Sequence, residues 1–185
     1  MRFKLHLAAL ACALGLFTAP VESEPARFGF GRTPTEAEIA AFDIDVRPDG
    51  QGLPPGHGSV AEGARVFAGA CASCHGEKGE TAAQTGAVLV GGQGTLASAK
   101  PLKTIGSYWP YATTLFDYIR RAMPFNAPQS LSNDEVYAVT AYLLSLNKIV
   151  PGDTVLDAGN LAKVQMPNRD GFKPAEGLFG EANSR

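Results

Sequence analysis

Apolar residues recur at helical spacing in three stretches of the chain. The three stripes are Val60, Ala64 and Phe67; Leu115, Tyr118, Ile119 and Ala122; and Val136, Val139, Leu143 and Leu146. Residues three and four positions apart lie on the same side of an α-helix, so the pattern predicts three amphipathic helices. Gly63 falls on the first stripe and lowers its helix propensity. A close crossing with another helix would compensate for this glycine.

Polar residues mark where these helices begin and end. Ser59 followed by Glu62, and Ser132 followed by Glu135, are capping boxes. They predict the starts of the first and third helices. Pro124 prevents the second helix from continuing.

Two arms flank this helical region, which spans residues 59–149. The N-terminal arm, residues 24–58, combines a helix-capable piece with a Pro/Gly-rich run, and the C-terminal arm, residues 150–185, has weak periodicity. Neither arm is able to bury a core alone. Their apolar residues are nonetheless too many for solvated linkers: Phe28, Phe30, Ile39, Phe42, Ile44, Val46, Leu161, Val164 and Phe172. We expect the arms to cover the central domain or a partner protein.

The first residues of the chain are typical of an export signal. Arg2 and Lys4 precede a short apolar run from Leu7 to Phe17, and small residues follow. The run is shorter than the roughly 20 residues that a membrane-spanning helix needs. We therefore interpret residues 1–23 as a cleaved signal peptide, and we expect no stable membrane insertion.

The charge of the mature chain bears on its partners. Removal of residues 1–23 reduces the 16 basic and 18 acidic residues to 14 and 17, which leaves a formal charge of −3. Such a mild acidic surplus argues against nucleic acid as a partner.

Cysteine usage points to the chemistry. Cys12 lies inside the signal segment, and Ala9 stands where a lipoprotein signal has a bulky aliphatic residue. We therefore expect Cys12 to be removed with the signal peptide, and lipidation of Cys12 is the alternative. Residues 71–75 read CASCH, the attachment pattern for a c-type haem. The thiols of Cys71 and Cys74 would add to the two vinyl groups of one haem edge. A helical turn would then place His75 under the iron as an axial ligand.

Three other interpretations of these residues are weaker. A zinc site needs about four ligands, and only His6 and His57 remain as further histidines. A thioredoxin-like pair expects a βαβ setting, which the pattern lacks. A disulfide would leave His75 without a role. The sequence therefore predicts one covalent haem c.

The order of these features resembles class I cytochrome c: an early helix, CxxCH, a middle helix, a Met-Pro loop and a terminal helix. The resemblance implies an all-α fold in which the first and last helices cross through small and aromatic residues. Gly63 and Phe67 would then meet Tyr142. It also makes Met123 the sixth iron ligand, on the face opposite His75.

The chemistry of methionine supports this assignment. A neutral thioether stabilises the less charged ferrous iron and raises the reduction potential relative to histidine, and Pro124 restricts where the Met123 sulfur points. Met166 also precedes a proline, but it lies beyond the terminal helix. Met166, His57 and an open sixth position remain the alternatives.

Two further residues are candidates for contacts with the haem propionates. Trp109 would donate from its indole N–H, or it only forms a wall of the core. Arg120, with Arg121, would face a propionate or an acidic partner surface, or the pair only complements the dipole at a helix end.

The arms carry a more specific resemblance. The stretches GRTPTEAEIAAFDIDVRPDGQGLPPG, GSYWPYATTLFDYIRRAMPF, SLSNDEVYAVTAYLLSLN and MPNRDGF are similar to the cytochrome subunit of periplasmic sulfur dehydrogenase in the Sox thiosulfate-oxidising system. Well-known members continue into a second cytochrome domain, whereas this chain carries a single CxxCH. It therefore resembles the first half of those proteins or a single-haem form of the subunit, with sulfane sulfur or sulfite as the substrate of the complex.

The resemblance implies a periplasmic electron-transfer subunit without catalytic residues of its own. Its partners would be a molybdenum-cofactor subunit and a soluble cytochrome c that accepts electrons. The alternatives are a freely diffusing carrier for another dehydrogenase or oxidase, and a haem enzyme with a dissociable sixth ligand.

Overall fold

The predicted helices are present, together with two shorter ones and a small sheet. The computed structural model describes residues 30–81 and 87–173. Within them lie the helices α1 (Glu36–Phe42), α2 (Val60–Ala70), α3 (Ala72–His75), α4 (Ala112–Ala122) and α5 (Asn133–Leu146), the strands β1 (His57–Ser59) and β2 (Val155–Asp157), and a 3-10 turn at Leu161–Lys163. The expected all-α fold class is confirmed.

Both predicted capping boxes start their helices. At α2, Glu62 N–H donates to Ser59 Oγ at 3.2 Å, and Ser59 N–H donates back to the Glu62 carboxylate at 2.8 Å. At α5, Glu135 N–H donates to Ser132 Oγ at 3.3 Å, and the return bond from Ser132 N–H is 2.8 Å. Each pair satisfies two backbone donors that a helix start otherwise leaves without partners.

Helices α2 and α5 cross where the sequence predicts it. Gly63 lies so close to the carbonyl group of Ala138 that no side chain fits between the two backbones. One turn further along, the rings of Phe67 and Tyr142 contact each other with centroids 5.4 Å apart. The small residue permits the approach, and the aromatic pair closes the crossing.

Helix α4 packs on the other side of α5 and completes the core. The Phe116 and Tyr137 rings, both fully buried, lie 4.5 Å apart between their centroids. The buried apolar residues of this core are Val46, Phe67, Ile105, Ala112, Leu115, Phe116, Ile119, Val136, Tyr137, Val139, Ala141, Leu143, Leu144, Leu156, Leu161 and Met166. Val46, Leu156, Leu161 and Met166 come from the two arms, so both arms cover the central helices.

The arms also pair with each other. Strand β1 precedes α2 and runs antiparallel to β2, with His57 opposite Asp157 and Ser59 opposite Val155. Leu156, at the centre of β2, is 2% exposed and packs into the core. This two-stranded sheet ties the C-terminal arm to the start of the haem-motif helix.

Other apolar residues of the arms lie on the surface. Helix α1 buries none of its residues, and Ile39 and Phe42 are 50% and 87% exposed. Phe172 is 52% exposed. The chain divides into two units at Thr35; in the described part of the first unit, Phe30 is exposed. Phe28 and the predicted signal peptide lie outside the described residues.

No helix between residues 30 and 81 or between 87 and 173 combines the length and apolarity of a membrane span.

Candidate functional site

The CASCH segment lies at the tight junction between α2 and α3. Cys71 ends α2, with its N–H donating to Phe67 O at 2.9 Å, and its own carbonyl accepts from the N–H groups of Cys74 at 3.1 Å and His75 at 3.0 Å. Cys71 therefore belongs to both helical turns. Side chains three and four positions apart share one face of such a turn, so both thiols and the imidazole lie on the same side.

Both thiols are free, and their surroundings keep the first one protonated. Burial, and secondarily the neighbouring Cys74, raise the pKa of Cys71 to about 11. Cys71 is half-buried against the apolar core. Two unpaired thiols beside an apolar core fit thioether attachment.

A backbone carbonyl orients the ring of His75. Its Nδ1 lies 2.7 Å from Ala87 O. Because a carbonyl oxygen only accepts, Nδ1 must carry the proton, and Nε2 then keeps its lone pair. Metal-ligating histidines usually hold their tautomer with a bond of this kind. The geometry therefore fits a His75 that offers Nε2 to iron.

Asn147 anchors the loop that carries this carbonyl. It is 3% exposed and follows the end of α5. Its side-chain oxygen accepts from Gly91 N–H at 3.1 Å, and its amide nitrogen donates to Leu89 O at 3.2 Å and to Leu143 O at 2.9 Å. The loop that fixes the imidazole is thus held by the terminal helix.

Met123 caps the end of α4, and its N–H donates to Ile119 O at 3.0 Å. The following peptide bond to Pro124 is cis. Met123 is half-buried and packs against the apolar core, as Cys71, Leu89 and Trp109 each do. These side chains come from four separate segments, and each of them contacts the same apolar core.

The alternative ligands occupy different surroundings. Met166 is 4% exposed and belongs to the apolar core, so packing alone accounts for it. His57 lies in β1 with an exposed side chain, and its N–H donates to Asp134 Oδ1 at 2.8 Å. Neither observation points to iron ligation, and Met123 stays the predicted ligand.

The two candidate propionate residues make other contacts. Trp109 is half-buried and meets the ring of Tyr118 edge-on, with centroids 5.6 Å apart. Arg120 donates from Nη1 to Ile44 O at 2.9 Å. Their contact with a haem propionate remains a prediction.

The other interpretations of the cysteines find little support. In the described ranges, no group of three or more His, Cys, Asp or Glu residues is placed to hold a metal ion. The same ranges contain only the β1–β2 pair as a sheet, and no βαβ unit. The described residues therefore offer neither a four-ligand zinc site nor a thioredoxin-like setting.

The comparisons with known proteins agree with this geometry. The family profile for cytochrome c matches residues 60–147. The structure is also similar to a chain in the crystal structure of the sulfane dehydrogenase SoxCD from Paracoccus pantotrophus, with a TM-score of 0.76 and 49% sequence identity. That match covers 81% of this chain and 73% of the other. This chain belongs to the c-type cytochromes of the Sox system.

A comparison of the cytochrome with curated proteins gave no significant match. The family implies a covalently bound haem c. The class I cytochrome c fold expected from the sequence is confirmed by the profile and by the structural match.

Sequence reasoning missed two polar residues that shape the cytochrome's site. Asn147 closes the His75 loop, and a polar residue directly after a long apolar helix is a signal for such a cap. Asp117, 7% exposed, lies on a side of α4 away from the predicted apolar stripe, where Arg121 at i+4 neutralises it. An acid four residues before a base indicates such a pair on a helix.

Proposed function

We propose that the cytochrome is the mono-haem electron-transfer subunit of a molybdenum-containing sulfur dehydrogenase, and that it passes electrons to a soluble cytochrome c. The observation that carries the proposal is the 49% identity, over 81% of the chain, to a chain in the sulfane dehydrogenase SoxCD structure. Cleavage of residues 1–23 and export to the periplasm belong to the same proposal, as do a domain at residues 59–149 and flanking arms.

Four side chains would hold the haem. Cys71 and Cys74 would form the two thioether bonds, and His75 Nε2 and the Met123 sulfur would provide the axial bonds. When bound, the haem supplies one-electron chemistry between ferric and ferrous iron. Met123 would favour the less charged ferrous state, because its sulfur is neutral. Trp109 and Arg120 are proposed propionate contacts.

The axial pair argues for electron transfer rather than bond chemistry in this chain. The hydrogen bond to Ala87 O holds His75 in one orientation, and α4 holds Met123 at its C-terminal end. His75 and Met123 would together occupy both axial positions of the iron and would leave no open position for a substrate. The sulfur substrate, sulfane or sulfite, would be oxidised on the partner subunit, and this chain would remove the electrons one at a time.

Helix α1 is the proposed contact with the molybdenum subunit. Its apolar residues Ile39 and Phe42 are 50% and 87% exposed, although other arm residues are buried. The alternative is a free periplasmic carrier for another dehydrogenase or oxidase. The burial of Val46 and Leu161 in the cytochrome's own core favours that alternative, because arms that only cover their own domain need no partner.

Co-expression with a candidate molybdenum subunit in a host that attaches haem tests the proposal. We expect molybdenum and haem to elute together in size-exclusion chromatography, and we expect a sulfane or sulfite substrate to reduce the haem only when both chains are present. A monomer that unrelated donors reduce equally well would instead favour the free carrier.

Two surface variants refine this experiment. Phe42→Ser removes an exposed ring of α1, whereas Val155→Ser changes a residue on β2 that is 47% exposed. We expect Phe42→Ser to weaken complex formation and Val155→Ser to leave it unchanged, with identical haem spectra. Equal affinities would contradict the assignment of α1 to the interface, while the co-elution result would still test the complex itself.

A further inference from the structure

Residues 44–48 of the N-terminal arm, here called the strap, lie along one face of α4. Three α4 side chains hold the strap: Thr113 Oγ1 donates to Pro48 O at 3.2 Å, Asp117 Oδ1 accepts from Val46 N–H at 2.9 Å, and Arg120 Nη1 donates to Ile44 O at 2.9 Å. Residues 113, 117 and 120 are spaced by four and three positions, so they share a helix face. The contact joins segments about 70 residues apart in the chain.

Asp117 is the centre of this contact. It is 7% exposed, and a buried carboxylate is costly unless it is paired and hydrogen-bonded. Arg121 supplies the charge, with Nε donating to Asp117 Oδ1 at 3.0 Å, and its pKa is raised by this hydrogen bond to Asp117. Val46 is only 6% exposed, so its side chain anchors the strap in the core.

The strap reaches the part of α4 that carries the candidate ligand. Asp117 and Arg120 lie six and three residues before Met123, which caps the helix. At about 1.5 Å of rise per residue, Arg120 lies only about 4.5 Å along the axis from Met123. A shift of this last turn against the core would therefore displace the methionine sulfur.

We propose that Asp117 is a positioning residue for Met123, which it serves by holding α4 against the strap. The inference rests on the proposed role of Met123 as an axial ligand. Without the Asp117 contact, the end of α4 would move more freely, and the methionine sulfur would leave the iron more often.

Asp117→Ala in the haem-loaded protein tests the inference. A hydrogen bond to a charged group contributes enough that its loss changes an equilibrium by about tenfold or more. We expect carbon monoxide to bind the ferrous protein about tenfold faster, and the Met–iron charge-transfer absorbance to fade at urea concentrations below global unfolding. Asp117→Asn should restore part of this absorbance, because the amide oxygen still accepts from Val46 N–H.

Asp134→Ala is the control, at a helix carboxylate that is exposed where Asp117 is buried. Asp134 is also a helix carboxylate that accepts an arm N–H, from His57 at 2.8 Å, but it lies on α5, which carries no ligand. The inference would be overturned if the ferrous Asp117→Ala protein bound carbon monoxide at the same rate as the Asp134→Ala protein. If Asp117→Ala yields no holoprotein, Thr113→Val takes its place in the experiment. Loss of the Thr113 hydrogen bond to Pro48 should speed carbon monoxide binding by about fivefold. An unchanged binding rate overturns the inference.

Met123→Ala separates this inference from the proposed function. If Met123→Ala keeps the charge-transfer absorbance, the axial assignment is wrong, and the positioning role falls with it. If Met123→Ala loses the absorbance while Asp117→Ala behaves like Asp134→Ala, only the positioning role is wrong.

Discussion

Gly63 of α2 lies against the carbonyl group of Ala138 in α5, and this contact sets how closely the two helices cross. A Cβ atom at position 63 would clash with that carbonyl and would lie 2.7 Å from Cβ of Tyr142. The neighbouring turn of α2 leads directly into Cys71. The crossing therefore fixes the CASCH turn relative to the terminal helix.

We expect Gly63→Ala to lower the free energy of unfolding by about 1–3 kcal/mol, because the added methyl group overpacks the crossing. Gly69→Ala is the matched control on the same helix, since a Cβ there would meet nothing within 4 Å. Alanine in that open helical position should raise stability by about 0.5–1 kcal/mol. Urea unfolding of both holoproteins checks the prediction, and equal effects at the two sites would contradict it.

Asn147 gives a second prediction, because its side chain satisfies backbone groups of the His75 loop. Asn147→Ala would leave the N–H of Gly91 and the carbonyl of Leu89 without this partner in a partly buried site. Each such group costs about 1–3 kcal/mol. We expect a loss of at least about 2 kcal/mol in urea unfolding and faster amide hydrogen exchange at Gly91.

The control for this prediction is Asn133→Ala. Asn133 donates to Pro55 O at 3.2 Å from a less buried position, away from the loop. It should lose less stability and leave exchange at Gly91 unchanged. Equal protection of the Gly91 amide in the wild type and the Asn147→Ala variant would show that Asn147 does not hold the loop.

The helices could be predicted from the sequence because their signals are local. Ser59 with Glu62 and Ser132 with Glu135 mark helix starts within four residues, and the predicted contact of Gly63 and Phe67 with Tyr142 is confirmed. The hydrophobic pattern and the capping residues are enough to predict a helix wherever that helix buries a single face.

Helix α4 shows where this local reasoning fails. The strap covers an additional side of α4, so Asp117 is buried, while Tyr118 on the predicted stripe is 47% exposed. A segment about 70 residues away creates that burial, and periodicity within one helix carries no information about it. The three-residue strands β1 and β2 were missed for the same reason, since they pair across almost 100 residues.

Some residues of the candidate site could likewise be identified from local sequence, whereas others could not. CASCH identifies Cys71, Cys74 and His75 from adjacent letters alone. The acceptor that orients His75 is a backbone carbonyl, at Ala87, and every residue has one, so no side-chain pattern marks it. The preference for Met123 over Met166 follows from chain position, and the structure adds that Met166 is 4% exposed within the core.

Tyr137 predicts a dependence of stability on alkaline pH. Its hydroxyl donates to Pro54 O at 2.9 Å, and burial, followed by the charge of Asp157, raises its pKa to about 12. Between the ordinary pKa near 10 and this value, the unfolded chain loses the proton while the folded protein keeps it. Stability contributed by the neutral phenol is therefore complete below about pH 10 and falls as the pH rises towards 12.

Tyr137→Phe tests whether stability falls in this direction with pH. The variant lacks the hydrogen bond to Pro54 and should be about 1 kcal/mol less stable at pH 8. The difference between wild type and variant in urea unfolding should shrink between pH 10 and 12, because only the wild type has this proton to lose. A difference that is constant over that range would contradict the raised pKa.

Met123 and Met166 separate ligation from packing in a single pair of variants. Met123→Ala should lose the Met–iron charge-transfer absorbance and lower the reduction potential, because a neutral thioether no longer favours ferrous iron. Met166→Ala should keep both properties yet lose about 2–5 kcal/mol of unfolding free energy, since Met166 is 4% exposed within the core. Absorbance spectra, redox titration and urea unfolding of both holoproteins distinguish the two roles. The opposite pattern, with the absorbance lost only in Met166→Ala, would transfer the ligand to the C-terminal arm.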